Sequence, residues 1–109
     1  MPQTSLDLSL VNVRPRRCER CGCLAPFAEP DEAIAKRELH GIAVQKETMK
    51  FIARLREITR CHLASAKAVF AHITTERGVC NWCSKQIPVV EYVDCAQCKS
   101  FNIWWGDAA

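Results

Sequence analysis

The chain has 109 residues, a net charge of +3 and eight cysteines. That length suits one small domain or two very small modules, whose modest core makes covalent or metal cross-links important. The weak positive balance does not by itself argue for nucleic acid, and no apolar run approaches the ~20 residues of a membrane span.

The N-terminal stretch "MPQTSLDLSLVNVRPRR" has no apolar segment after a basic start. It does not read as a secretory signal, so a cytoplasmic location with reduced thiols is expected. Leu6, Leu8, Leu10, Val11 and Val13 alternate, which predicts a half-buried strand over residues 1–13. "RPRR" at Arg14 to Arg17 reads as a solvated basic turn.

"CERCGCLAPF" follows. Cys18-x-x-Cys21-Gly22 has the form of a zinc knuckle, in which a glycine lets amides turn toward thiolate sulfur. "AEPDEAIAKRELHG" predicts a short helix, capped by Asp31, with Glu32 in its first turn and Gly41 at its end.

Residues 46–60 and 63–73 carry the strongest helical periodicity. Phe51, Leu55 and Ile58 share one face of the first helix, widened by Ile52; Lys50, Glu57 and Arg60 lie opposite. Leu63, Ala66, Val69, Phe70 and Ile73 form the apolar face of the second, beside a strip of Ala64, Ala68 and Ala71. The "RCH" between them leaves room only for a tight turn, so the pair forms a helical hairpin. Beyond Val79 the helical period stops. "IPVVEYV" (Ile87 to Val93) and "FNIWW" (Phe101 to Trp105) predict strands.

Cys80, Cys83, Cys95 and Cys98 have the spacing C-x2-C-x11-C-x2-C. Each pair offers two soft ligands from one turn, and two such turns make a tetrahedral site. The sequence here resembles zinc ribbons. Four thiolates would close the coordination sphere, so this zinc is expected to be structural and not catalytic. A redox role fits poorly, because neither pair has the strand-then-helix context of a reactive Cys-x-x-Cys. Cys18 and Cys21 are candidate ligands for a second zinc, held either by four cysteines or by three cysteines and one histidine. The remaining ligands would come from Cys23, Cys61, His40, His62 and His72, or from a swapped pairing with one of the later knuckles. Cys61 otherwise reads as a small buried filler, and His40 and His72 as surface or helix-end residues.

"FIARLREITRCHLASAKAVF" (Phe51 to Phe70) resembles a segment of the C-terminal domain of the bacterial large-subunit ribosomal stalk protein. The matching pieces are "REIT" at Arg56 to Thr59, Leu63, Ala66–Lys67, Val69 and Ile52. Arg60 and His62 stand where that family has glycines, and Ala53 where it has a basic residue. A more distant likeness is to the N-terminal helical module of elongation factor Ts. The stalk resemblance implies docking onto a translational GTPase through Ile52, Arg56 and Lys67. The helical wheel adds Met49 to the same arc, an arginine rimmed by aliphatic side chains.

The expected fold is α+β: a small zinc-ribbon sheet with a helical hairpin inserted between an N-terminal cysteine knuckle and the C-terminal ribbon. The segments would be 1–30, 31–76 and 77–109. The expected function is a non-catalytic zinc-binding adaptor or inhibitor of a protein partner, a translation factor or another cytosolic target, contacted through Met49, Ile52, Arg56 and Lys67. The alternative is a zinc-ribbon nucleic-acid-binding protein, using Arg14, Arg16, Arg17, Lys85, Lys99, Trp82, Trp104 and Trp105. No Gly-rich phosphate loop or Ser-His-Asp order suggests an enzyme.

Overall fold

Each Cys-x-x-Cys pair sits in a turn that reverses the chain with the same register. The residue before the first cysteine pairs with the residue seven positions later: Arg17 with Leu24, Val79 with Gln86, and Asp94 with Phe101. The computed structural model that shows this describes residues 12–21 and 24–108.

Around the first pair, β1 (Asn12–Arg17) and β2 (Leu24–Glu29) form a two-stranded antiparallel sheet. Arg14 to Arg17 therefore lie in a strand and not in a turn, and β2 runs through Glu29, just ahead of the expected helix cap at Asp31. Pro15 faces Pro26 in the ladder. Prolines lack the ladder N–H and are tolerated at such edges. The part of the predicted N-terminal strand at residues 1–11 lies outside the described residues.

Three helices follow among the described residues: α1 (Ala33–Val44), α2 (Thr48–Thr59) and α3 (Leu63–His72). The N-cap of α1 is Glu32, not Asp31, and α1 runs through Gly41 to Val44. The left-handed residue that stops it is Lys46, at φ 61°. Lys46 N–H bonds to the Ala43 carbonyl at 2.9 Å and Glu47 N–H to the Ile42 carbonyl at 3.3 Å. Those two bonds are a Schellman motif, which satisfies the last carbonyls without glycine. The hairpin matches its expected limits closely. Arg60 closes α2 at φ 60° with its N–H on the Arg56 carbonyl. The Arg56 guanidinium in turn donates to the Cys61 carbonyl at 3.2 Å.

After α3 the chain extends directly. Ile73 bridges Ile103 in parallel, and Thr74 N–H donates to the Ile103 carbonyl at 2.7 Å. The second sheet pairs β3 (Tyr92–Asp94) with β4 (Phe101–Ile103), antiparallel. Both strands are shorter than expected. Pro88 removes a donor, and Val89 and Val90 stay 41% and 48% exposed.

The fold is thus α+β, as expected. Its main core joins Leu39 and Ile42 of α1, Phe51 and Leu55 of α2, Val69 of α3 and Ile103 of β4. Phe51 meets Phe70 edge-on at 5.1 Å, and Trp105, fully buried, donates to the Tyr92 hydroxyl at 3.1 Å. Cys18 belongs to this same core, so all three segments marked out by the sequence contribute to it. Among the described residues no helix is long and apolar enough to cross a membrane.

Candidate metal centres

The knuckles form because the chain after each second cysteine turns left-handed: Ser84 at φ 64° and Lys99 at φ 69°. Cys80 N–H then reaches the Lys85 carbonyl, and Cys95 N–H the Ser100 carbonyl, both at 2.9 Å. The two turns face each other. All four sulfurs of Cys80, Cys83, Cys95 and Cys98 lie within 4.8 Å of one another. Two cross-knuckle edges, Cys80–Cys98 and Cys83–Cys95, measure 3.6 Å.

Those lengths discriminate between chemistries. A disulfide needs about 2.05 Å between sulfurs. A tetrahedral metal with bonds of about 2.3 Å places its sulfurs about 3.8 Å apart. The observed edges exclude the first case and are compatible with the second.

The protonation pattern agrees. Burial opposes ionisation of Cys80, but the Cys83 amide, the Asn102 side chain and the Trp82 amide bring its thiol down to about 6. The Cys98 amide lowers Cys95. Cys98 is pushed up to about 12, by burial first and then by the neighbouring thiols. Burial and the neighbouring thiols thus hold Cys98 protonated, and a cation at the centre would remove that limit.

A second group gathers around the first knuckle. Cys18 and His72 are buried and Cys21 is exposed, with their ligand atoms also within 4.8 Å of one another. Cys21 Sγ and His72 Nε2 are 3.6 Å apart. That equals the edge of about 3.6 Å expected between sulfur and nitrogen on one tetrahedral zinc. His72 Nδ1 lies 2.7 Å from the Ala68 carbonyl. A carbonyl can only accept, so Nδ1 carries the proton and Nε2 presents its lone pair to the thiols. Burial opposes ionisation of Cys18, yet the Phe101 amide, then the Cys21 amide and His72, bring it down to about 6. Phe101 N–H reaches Cys18 Sγ at 3.4 Å. Cys23 lies outside the described residues.

All six cysteines expected to bind metal therefore fall in two donor groups, and of the three nitrogen candidates in the sequence it is His72, read there as a surface or helix-end residue, that joins the second group. Its signal was present. Ser65, Val69 and His72 recur at i, i+4 and i+7, and all three are buried on α3. The other nitrogen candidates sit elsewhere. His40 packs edge-on to Trp104 at 4.7 Å, and His62 stands at the N-cap position of α3 without a capping side-chain hydrogen bond. Cys61 is buried in the interhelical turn.

The expected partner surface is divided. Met49 is 78% exposed and Arg56 and Lys67 are exposed, but Ile52 is 6% exposed and packs in the core. Ile52 cannot contact a partner without local rearrangement. Of the nucleic-acid candidates, Lys85 and Lys99 are exposed, while Trp105 is buried and Trp104 half-buried. Trp82 is 62% exposed, and the Arg20 guanidinium lies 3.8 Å from its ring centroid. The side chains of Arg14, Arg16 and Arg17 lie outside the described residues. No protein-family model, curated protein or solved structure matches the chain.

Proposed function

We propose that the protein is a small, non-catalytic zinc-binding adaptor that offers the α2–α3 hairpin to a protein partner. The four-cysteine centre is read as a zinc ribbon. Its four thiolates fill a tetrahedron and leave no position for a reactive water. The observation that carries the proposal is the placement of His72. It ends α3, so a metal at the second centre would fix one end of the hairpin. Met49, Arg56 and Lys67 meanwhile stay exposed on its outer surface.

The stalk-like sequence over residues 51–70 suggests a translational GTPase as the partner. Direct titration of a purified elongation GTPase with the zinc-loaded chain tests this. Arg56→Ala and Lys67→Ala should each weaken binding about 10-fold, as exposed hot spots do. Lys67→Ala is the cleaner variant, because Arg56 also ties the turn at Cys61. Undetectable binding by the unaltered chain would remove the translational partner.

The exposed Trp82 under Arg20 favours a second reading, a single-stranded nucleic-acid surface on the knuckles. Binding to random oligonucleotides that falls steeply with salt and with Trp82→Ala would support it.

A further inference from the structure

The two donor groups differ in how far the chain must travel to form them. The four-cysteine group lies within residues 80–98, whereas the second needs Cys18 and Cys21 to meet His72 from another element. Between them runs a chain of side-chain hydrogen bonds. Asn81 sits inside the 80–83 knuckle. Its Nδ2 donates to the His72 carbonyl at 2.7 Å and to the Phe101 carbonyl at 3.0 Å. It thereby caps the C-terminal end of α3 from outside the helix, where carbonyls lack intrahelical partners. Asn81 N–H donates to Asn102 Oδ1 at 2.7 Å, and Asn102 Nδ2 reaches Cys80 Sγ at 3.5 Å. Asn102 is 1% exposed, and its Oδ1 also accepts from Thr74, two residues beyond His72. The neighbouring Phe101 N–H points at Cys18 Sγ. Consecutive residues of β4 thus touch a sulfur of each group.

We propose that the four-cysteine centre is the template for the second: it fills first, and Asn81 and Asn102 act as positioning residues that transmit its order to Cys18, Cys21 and His72. A metal on the 80–83 knuckle fixes the position of Asn81. Asn81 then holds the end of α3 at the height where the His72 imidazole faces both thiols. Without that metal, the N-terminal hairpin and α3 must find each other against the full loop-closure entropy. The coupling is reciprocal, as any equilibrium linkage must be, so a metal at the second centre tightens the first by the same factor. The order of filling follows from the short loop of the first. The proposal rests on both groups binding metal and is independent of the partner.

Cobalt(II) titration of the reduced, metal-free full-length chain reads this directly, because four-thiolate and two-thiolate-plus-imidazole sites absorb differently. The unaltered chain should show the four-thiolate spectrum through the first equivalent and the mixed-donor spectrum only with the second. Asn81→Ala leaves every ligand in place. It should keep the first spectrum and bind the second equivalent about 10-fold more weakly, within the usual range of coupling between sites. Asn81→Asp keeps the shape but cannot donate to the His72 carbonyl, and it should behave the same way. His72→Ala should hold one equivalent with the four-thiolate spectrum. Mixed-donor absorption appearing first, or unchanged second-site affinity in both Asn81 variants, would overturn the proposal. A chain that takes only one equivalent, with or without His72, would remove the second centre itself and the coupling with it.

Discussion

His72 Nε2 and Cys21 Sγ meet at 3.6 Å across 51 residues of sequence. Cys21 is exposed there, while Cys18 and Ala28 of the same hairpin are buried in the main core. A metal ion bound there would cross-link the N-terminal hairpin to α3, as a disulfide would in a secreted domain of this size.

His72→Ala should therefore loosen the N-terminal hairpin while leaving the four-cysteine centre loaded. Amide hydrogen exchange should accelerate in β1 and β2 and remain slow in β3 and β4. Equal acceleration in both sheets would mean that His72 supports the whole core and not one clamp.

Exhaustive chelation under reducing conditions should abolish most far-UV structure, and added zinc should restore it. Binding energy at such sites is largely folding energy. Unchanged helicity after complete metal removal would show that the apolar core suffices.

Lys36 is half-buried between two carboxylates, 2.8 Å from Glu29 and 2.5 Å from Glu91. Burial opposes its charge, but the two glutamates outweigh that and raise its pKa. Lys36→Met would leave Glu29, itself nearly buried, short of its cation. The cost should be about 2–3 kcal/mol by urea unfolding of the zinc-loaded chain. Lys36→Met combined with Glu29→Gln should recover part of it. A single-variant cost under about 0.5 kcal/mol would place the pair among weak surface bridges.

His40 gives a pH dependence of known sign. Burial lowers its pKa below the ordinary 6.5, partly offset by Asp107. The folded state therefore binds the proton less readily than the unfolded chain. The stability His40 contributes is complete above pH ~6.5 and is lost as the pH falls through its folded value. Between pH 7.5 and 5.5, Tm should fall more steeply for the unaltered chain than for His40→Gln. Identical slopes would exclude His40 as a source of acid sensitivity.

Much of this was legible in the sequence, for physical reasons that also mark where it was not. The spacing of Cys80, Cys83, Cys95 and Cys98 dictates two facing turns whatever the rest of the chain does. Phe51, Leu55, Val69 and Ile73 repeat at helical intervals and are buried as that repeat requires. The first sheet was hidden because Arg14–Arg17 and Pro26 lack the apolar alternation of a strand; its pairing shows in the register around the cysteines instead. The end of α1 was misplaced because Gly41 drew attention as a stop signal, while Lys46 takes the left-handed turn. His72, one of three nitrogen candidates, reads more readily as a helix-end residue, because a helix-terminal histidine looks solvated until it is placed on the buried face of α3. Ile52 was assigned to a surface by likeness to another family, although its spacing from Phe51 and Leu55 already allowed the core.

The most direct measurement is native mass spectrometry of the reduced full-length chain, alone and as His72→Ala. The account predicts two zinc ions on the unaltered chain and one on the variant. A metal-free mass for the unaltered chain, or an identical metal count in both, would contradict it.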